Sequence, residues 1–572
     1  MTLFLWILLI IEVWFIWFWV EKERRSFTSG IIWPSWVLLG INWFLFCVGP
    51  QIKGATKKKV PEFSLRQWKF WIKPEWNSIL IKIVLFGVVI AVATPFVIMG
   101  VRKIKSWEAK RASEKRLRIF GEQEIEVFEK IDYDPQPYFT EDDRYFVGLD
   151  KDKKPRYINR KDLPLHGEVV GPSGMGKTEY LLVLAAQAIK KRDTLIFVDG
   201  KGDLKFARKL NSLCSKEKVN MKIFCPGKPE CSYTYNPLLS SQDPGEIADL
   251  IITARNWQAS GDSEYYINYQ KRGLLDLAYF LKGYRYNFRD IVRFLDSNEA
   301  REKAYLTIKD NSEYKTEVQA TWKKLKDDTM SGLSNDLSKR FVKDEEISPL
   351  VNAYESEINI KDVLEQGGVL LFSFMTGVKP EANEALAKMV LANIAFAVGK
   401  RQVSGEKRFA LVILDEFGQY VSEKFDKFIA TARSTNVTCI LSHQTTAQLE
   451  ISGLGEKLKK IVIDNTQMKS VFCQGDEADY WAKFFGTKPE IQRSEQIEQG
   501  TFYTEKLSTM GSARYVRGFN VSADTLRNLK KGQIAYRSVD TPFAILNLGM
   551  LKIEEKPLGV VVHNSKAEGL CL

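Results

Sequence analysis

A chain of 572 residues is too long for one hydrophobic core, so two or three folded units are expected. Hydrophobic residues make up 45% and charged residues 27%, with no proline-rich or low-complexity stretch, which excludes a predominantly disordered protein. A formal net charge of +12 ordinarily points to nucleic acid, but residues 1–118 carry the whole excess, so bulk charge is no evidence of DNA binding here.

The excess is concentrated in residues 102–118, with eight basic and two acidic side chains, and in 53–77, with seven and two. Both runs flank apolar segments. Residues 3–20, 31–49 and 83–101 each approach the roughly 20 residues an α-helix needs to cross a bilayer core. Trp14, Trp17, Trp19, Trp33 and Trp36 suit interfacial belts. The first segment is too long and aromatic, and too poor in leading basic residues, for an ordinary cleaved signal. The run at 102–118 predicts a cytoplasmic location for everything downstream. The lysines of the 50–78 loop pull the opposite way, which leaves two spans against three open.

From about residue 119 the pattern becomes α/β, with short β-branched runs followed by amphipathic stretches. Residues 194–204 (TLIFVDGKGDL), 367–374 (GGVLLFSF), 408–420 (RFALVILDEFGQY) and 437–449 (VTCILSHQTTAQL) read as buried strands with polar ends, where α/β sheets hold ligands. Residues 256–345 contain almost no strand signal. There Leu274, Leu277, Ala278 and Leu281 share a helical face, and 313–343 is also helical in character. The seven cysteines are scattered and His166, His443 and His563 are the only histidines, so no zinc spacing emerges and free thiols in a reducing compartment are expected.

Two motifs carry chemistry. Gly171, Pro172, Ser173, Gly174, Met175, Gly176, Lys177 and Thr178 fit G-x-x-x-x-G-K-[ST] between an apolar strand and a helical stretch. Backbone N–H groups of such a loop wrap phosphates, the lysine reaches the β- and γ-phosphates of ATP, and the hydroxyl of Thr178 holds Mg²⁺. Kinases and GTPases share this loop. In LVILDEFG, however, apolar residues lead to Asp415, placed to complete the Mg²⁺ shell, and Glu416, placed to polarise an attacking water, a pairing that favours hydrolysis. Gln444 follows the next strand and is placed to sense the γ-phosphate. Position alone leaves Arg433 open between compensating a helix dipole and reaching a neighbouring subunit's nucleotide.

The ordered set resembles the type IV secretion coupling proteins, the TraD-like ATPases of conjugation within the FtsK and HerA motor superfamily. It comprises the N-terminal apolar segments, the entry FVGLDKDKKPRYI to LPLHGEVVGPSGMGKT, VDGKGD (198–203), YNPL (235–238), the helical stretch, LDEFG, ARSTNVTCILSHQTTAQL and NTQMKSVFCQGDEADYWAKFFGT. The resemblance implies an inner-membrane, multi-pass ATPase that assembles as a homohexamer and delivers relaxase-bound single-stranded DNA, or an effector protein, to the inner-membrane components of a type IV secretion system. By matching position, Arg433 resembles the family's trans-acting arginine, Gln444 its glutamine after Walker B, and Asp199 with Lys201 its second strand-end motif. The implied fold is α/β, a RecA-like P-loop nucleotide-binding domain with an all-α inserted domain and N-terminal transmembrane helices.

The expected organisation is a membrane anchor with basic linker at 1–118, a nucleotide-binding domain in two parts at 119–255 and 346–556, an all-α domain at 256–345, and a short tail at 557–572. Many relatives carry a long C-terminal extension. Some 15 residues follow the last strand-like run here, which shifts the expected docking of substrate to the helical domain or to partners. Two alternatives stand beside this reading. One is a docking platform that recruits effector proteins and uses nucleotide only to hold its ring together. The other is an FtsK-like chromosomal translocase, disfavoured because no proline- and glutamine-rich linker or winged helix is visible.

Overall fold

The computed structural model describes residues 129–254, 262–307, 316, 327–403, 407–421, 425–451, 455–500 and 504–563. The three apolar segments and the basic run at 102–118 lie outside them. Among the described residues no helix is long and apolar enough to cross a membrane.

An 11-stranded sheet organises the body, in the order β2-β1-β13-β12-β9-β3-β8-β7-β4-β6-β5. Its strands are β1 (Arg144–Leu149), β2 (Pro155–Asn159), β3 (Gly167–Val170), β4 (Thr194–Asp199), β5 (Met221–Phe224), β6 (Val369–Ser373), β7 (Ala410–Asp415), β8 (Val437–His443), β9 (Met468–Val471), β12 (Gln533–Arg537) and β13 (Ala544–Asn547). From β9 to β5 every neighbouring pair is parallel, and from β12 to β2 every pair is antiparallel. Every residue of β3, β4, β6, β7 and β8 is buried, because a parallel sheet is covered on both faces.

Alternation along the strands divides the core in two. Leu195, Phe197, Leu411 and Ile413 face a layer built on α1 (Lys177–Lys190) and α2 (Leu204–Lys216). Ile196, Val198, Val412 and Leu414 face the other layer, with α3 (Pro244–Thr253), α4 (Asp262–Phe280), α5 (Phe288–Asp296), α6 (Asn298–Thr307), α7 (Asp327–Leu337), α8 (Ile360–Gln366), α9 (Pro380–Lys400) and α10 (Phe425–Ser434). The stretch between β5 and β6 carries helices and no strand among its described residues, and Leu274, Leu277, Ala278 and Leu281 are buried in a cluster continuous with the sheet's own core. Several of its helices start on polar caps. Asp243 accepts from Glu246 N–H ahead of Pro244, and Asn287 with Asp290 forms a reciprocal capping box.

Two features lie outside this plan. Strands β10 (Thr487–Gly500) and β11 (Thr504–Phe519) pair antiparallel only with each other, as a ribbon whose register shifts between Glu495 and Ile497. After β13 the chain runs back without a regular element: Lys556 N–H donates to Arg208 O, Val561 N–H to Glu230 O, and the His563 ring bonds Glu357 at 2.9 Å.

Candidate nucleotide site

The C-terminal edge of the parallel strands gathers the motif residues. From β3 the chain turns through 171–176 into α1. Gly174 and Gly176 hold φ of +82° and +109°, which only glycine takes without strain. At Gly171 the constraint is space, since a Cβ there would meet Phe472 Cβ at 2.5 Å. At Gly174, by contrast, an added Cβ would meet nothing within 4 Å, so its positive φ alone calls for glycine. The first turn of α1 has Gly176 as its N-cap and no side-chain acceptor, so its N–H groups remain available to an anion. Glu179, the acid of that turn, is drawn away to Lys209 at 2.5 Å.

Lys177 lies under the loop. Its Nζ donates to Gly171 O at 2.5 Å and more weakly to Pro172 O at 3.4 Å. Burial lowers its pKa below the ordinary lysine range, against the pull of Glu416 and Asp415. Thr178 follows, half-buried, as the second residue of α1.

Asp415 ends β7 and sits in register with Asp199 at the end of β4. Ser442 Oγ donates to Asp415 Oδ1 at 2.7 Å, and burial raises the Asp415 pKa against the nearby Lys201 charge. Glu416 is 1% exposed and has a φ of +54°, an uncommon conformation for a residue with a Cβ. Two side chains donate to its carboxylate. Lys201 Nζ lies 2.5 Å from Oε1, and Gln444 Nε2 lies 3.2 Å from both oxygens. Asp199 shapes the turn that delivers Lys201, accepting Lys201 N–H and Asp203 N–H at 2.8 Å each. Its burial pushes its pKa up to about 6.

Gln444 is set by what lies beneath it. The preceding His443 and Glu168 are fully buried and 2.8 Å apart, and Lys469 Nζ lies 2.5 Å from the other Glu168 oxygen. Burial opposes ionisation of Glu168, but the Lys469 and His443 partners hold its carboxyl below the usual range. This network, Ser442, and the bond from Gly532 N–H to Met175 O escape the sequence reading. The signal for the network was an acid inside the otherwise apolar GEVV, with LSH and MKSV on the strands either side.

The structure thus brings Lys177, Asp415, Glu416 and Gln444 together, with the 171–178 loop and Lys201. It does not bring Arg433 to them. Arg433 is exposed in the last turn of α10, just before β8 begins, while Gln444 follows the end of β8. Seven strand residues, roughly 20 Å, separate the two ends. Arg433 therefore lies at the opposite edge of the sheet from the site of its own chain.

No curated protein sequence matches the chain. Residues 410–531 match a family model described as the TraM recognition site of TraD and TraG. Among solved structures, the bacterial conjugative coupling protein TrwBdeltaN70 in its trigonal form with sulphate is similar at 14% identity and a TM-score of 0.51, over 77% of this chain and 99% of that one. Its unbound monoclinic form gives 15% and 0.50, over 71% and 90%. The plasmid coupling protein TrwB in complex with ADP and Mg²⁺ gives 15% and 0.50, over 71% and 89%. At such identities the likeness is one of fold. Family match and fold likeness together bear out the resemblance to the coupling proteins of type IV secretion that the order of motifs carries.

Proposed function

We propose that this chain is a membrane-anchored ATPase that works as a homohexamer at the bacterial inner membrane. In this reading its motor domain is cytoplasmic, and it couples relaxase-bound single-stranded DNA to a type IV secretion system. The observation that carries the proposal is the convergence of Lys177, Asp415, Glu416 and Gln444 at one edge of the parallel sheet, beneath an uncapped helix N-terminus. The matched TraM recognition site supports a relaxosome partner, and the apolar segments at 3–20, 31–49 and 83–101 support contact with a lipid bilayer and with inner-membrane components.

The donor set fits MgATP. No side chain caps the first turn of α1, the charges of Asp415 and Glu416 act on Lys177, and Thr178 follows it with a hydroxyl. ATP supplies the phosphoanhydride to be cleaved, and Mg²⁺ neutralises charge as it develops. Gly171 to Gly176 would cradle the phosphates through backbone N–H groups, and Lys177 would turn from its loop carbonyls to the β- and γ-phosphates. Thr178 and Asp415 would hold the metal, with Ser442 fixing the Asp415 rotamer. Glu416 would polarise water, oriented by Gln444. The placement of Arg433 favours service to a neighbour's site, where an arginine finger is worth about 10³- to 10⁵-fold.

The test is hydrolysis by full-length protein in detergent, with and without single-stranded DNA. Lys177→Ala should abolish turnover, and Glu416→Gln and Arg433→Ala should each lower it by about 100-fold or more. Mixing the latter two should restore it, because Glu416→Gln subunits supply the arginine that intact Glu416 sites lack. Hydrolysis indifferent to DNA, with cargo still delivered by Glu416→Gln protein, would put the docking platform in its place.

A further inference from the structure

The turn after β4 brings Lys201 to Glu416, and the hydrolytic reading gives that contact no task. It is built with care. The Asp199 carboxylate takes the N–H groups of Lys201 and Asp203, Phe374 N–H donates to Asp199 O at 2.8 Å, and Thr376 Oγ bonds Gly200 O at 2.6 Å and Gln419 Oε1 at 2.7 Å. A Cβ on Gly200 would meet Glu416 Cβ at 3.2 Å, and one on Gly202, whose φ is +70°, would meet Met375 Cγ at 2.4 Å. The backbone of the turn is therefore fixed against β6 and β7. What can move is the lysine side chain, which is 37% exposed.

Both oxygens of Glu416 already accept hydrogen bonds, and an ammonium held at one of them competes with water for its lone pairs. Its Oε1 takes a charged and a neutral donor, and its Oε2 takes the other Gln444 contact. Of the two donors, the ammonium holds the carboxylate more strongly, because a charge-assisted bond is about twice as strong as a neutral one. The same ammonium acts electrostatically on Lys177 and on Asp415, so it stands beside the position where a terminal phosphate would lie. An anion arriving there competes with Glu416 for it.

Building on the ATPase reading, we propose that Lys201 is a positioning residue with two competing acceptors, the Glu416 carboxylate and the terminal phosphate of a nucleoside triphosphate. Transfer of Lys201 to the phosphate releases Glu416 for its work on water. The turn thereby distinguishes a triphosphate from a diphosphate, which lacks the competing group.

A double-mutant cycle on the full-length protein tests this, with Lys201→Ala, Glu416→Gln and the double variant titrated with a non-hydrolysable ATP analogue and with ADP. Glu416→Gln should tighten the analogue about 5- to 20-fold, within the ordinary range of coupling between sites, and leave ADP unchanged. In the Lys201→Ala background that gain should vanish. Melting without nucleotide should show the same two substitutions to be non-additive, since each breaks the one ion pair, and Lys201→Gln guards against a folding defect of the alanine. An equal gain in both backgrounds, or equal tightening of ADP, overturns the proposal. Failure of Lys177→Ala to weaken any nucleotide would instead sink the ATPase reading, so the two failures are distinguishable.

Discussion

His166 uses both ring nitrogens inside the protein. Its Nε2–H donates to Ile429 O at 2.9 Å and its Nδ1 accepts Cys439 N–H at 3.1 Å, which requires the neutral ring. Burial lowers its pKa to about 4. A histidine depressed in the folded state contributes stability that is fully present above the unfolded value near 6.5 and is lost as pH falls toward 4. Over that window the loss amounts to about 3 kcal/mol for a group this buried. Melting temperatures between pH 7 and 4.5 should therefore fall less steeply in His166→Gln than in the parent chain, even if the variant melts lower at pH 7. Equal slopes would contradict the assignment. Nothing in the sequence around His166 reveals this role, because both bonds come from distant residues. The same holds for Lys201 and Glu416, joined only because β4 and β7 lie in register. The loop at 171–178 was legible because its chemistry is local and its spacing is set by covalent geometry.

Among the elements, the parallel strands were easiest to read. Burial on both faces forces continuous apolar runs such as TLIFVD and ALVILD. The ribbon gave no such signal, since its sequence is polar over most of its length and apolar side chains described in it, such as Ile491 and Tyr515, are exposed. The antiparallel edge was hidden for another reason: β1 pairs with β13 across nearly 400 residues of chain, with Leu149 opposite Asn547. The turn from β3 into α1 offers a sharp test. Gly171→Ala places a methyl against Phe472, and overpacking of this kind costs about 1–3 kcal/mol. Denaturant melts should show that loss. Co-substitution of Phe472 with Leu should recover part of it, whereas a loss unchanged by the second substitution would mean that the contact is not the cause.

At the scale of the whole molecule, the phosphate loop and Arg433 occupy opposite edges of one sheet. Identical copies that share sites must then meet through two different faces, a head-to-tail contact that closes as a ring or runs on as a filament. In the proposed reading no single copy contains a complete site, so the kinetic order in protein exceeds one. Hydrolysis plotted against total protein should rise more steeply than proportionally at low concentration and become linear once assembly is complete. Strict proportionality down to the lowest measurable rate would argue for self-sufficient subunits. A turnover number for such a chain carries a concentration with it. Confinement to a surface raises the effective concentration of the copies, so anchoring would itself act as an activator, and a detergent-diluted preparation would understate the rate in a bilayer.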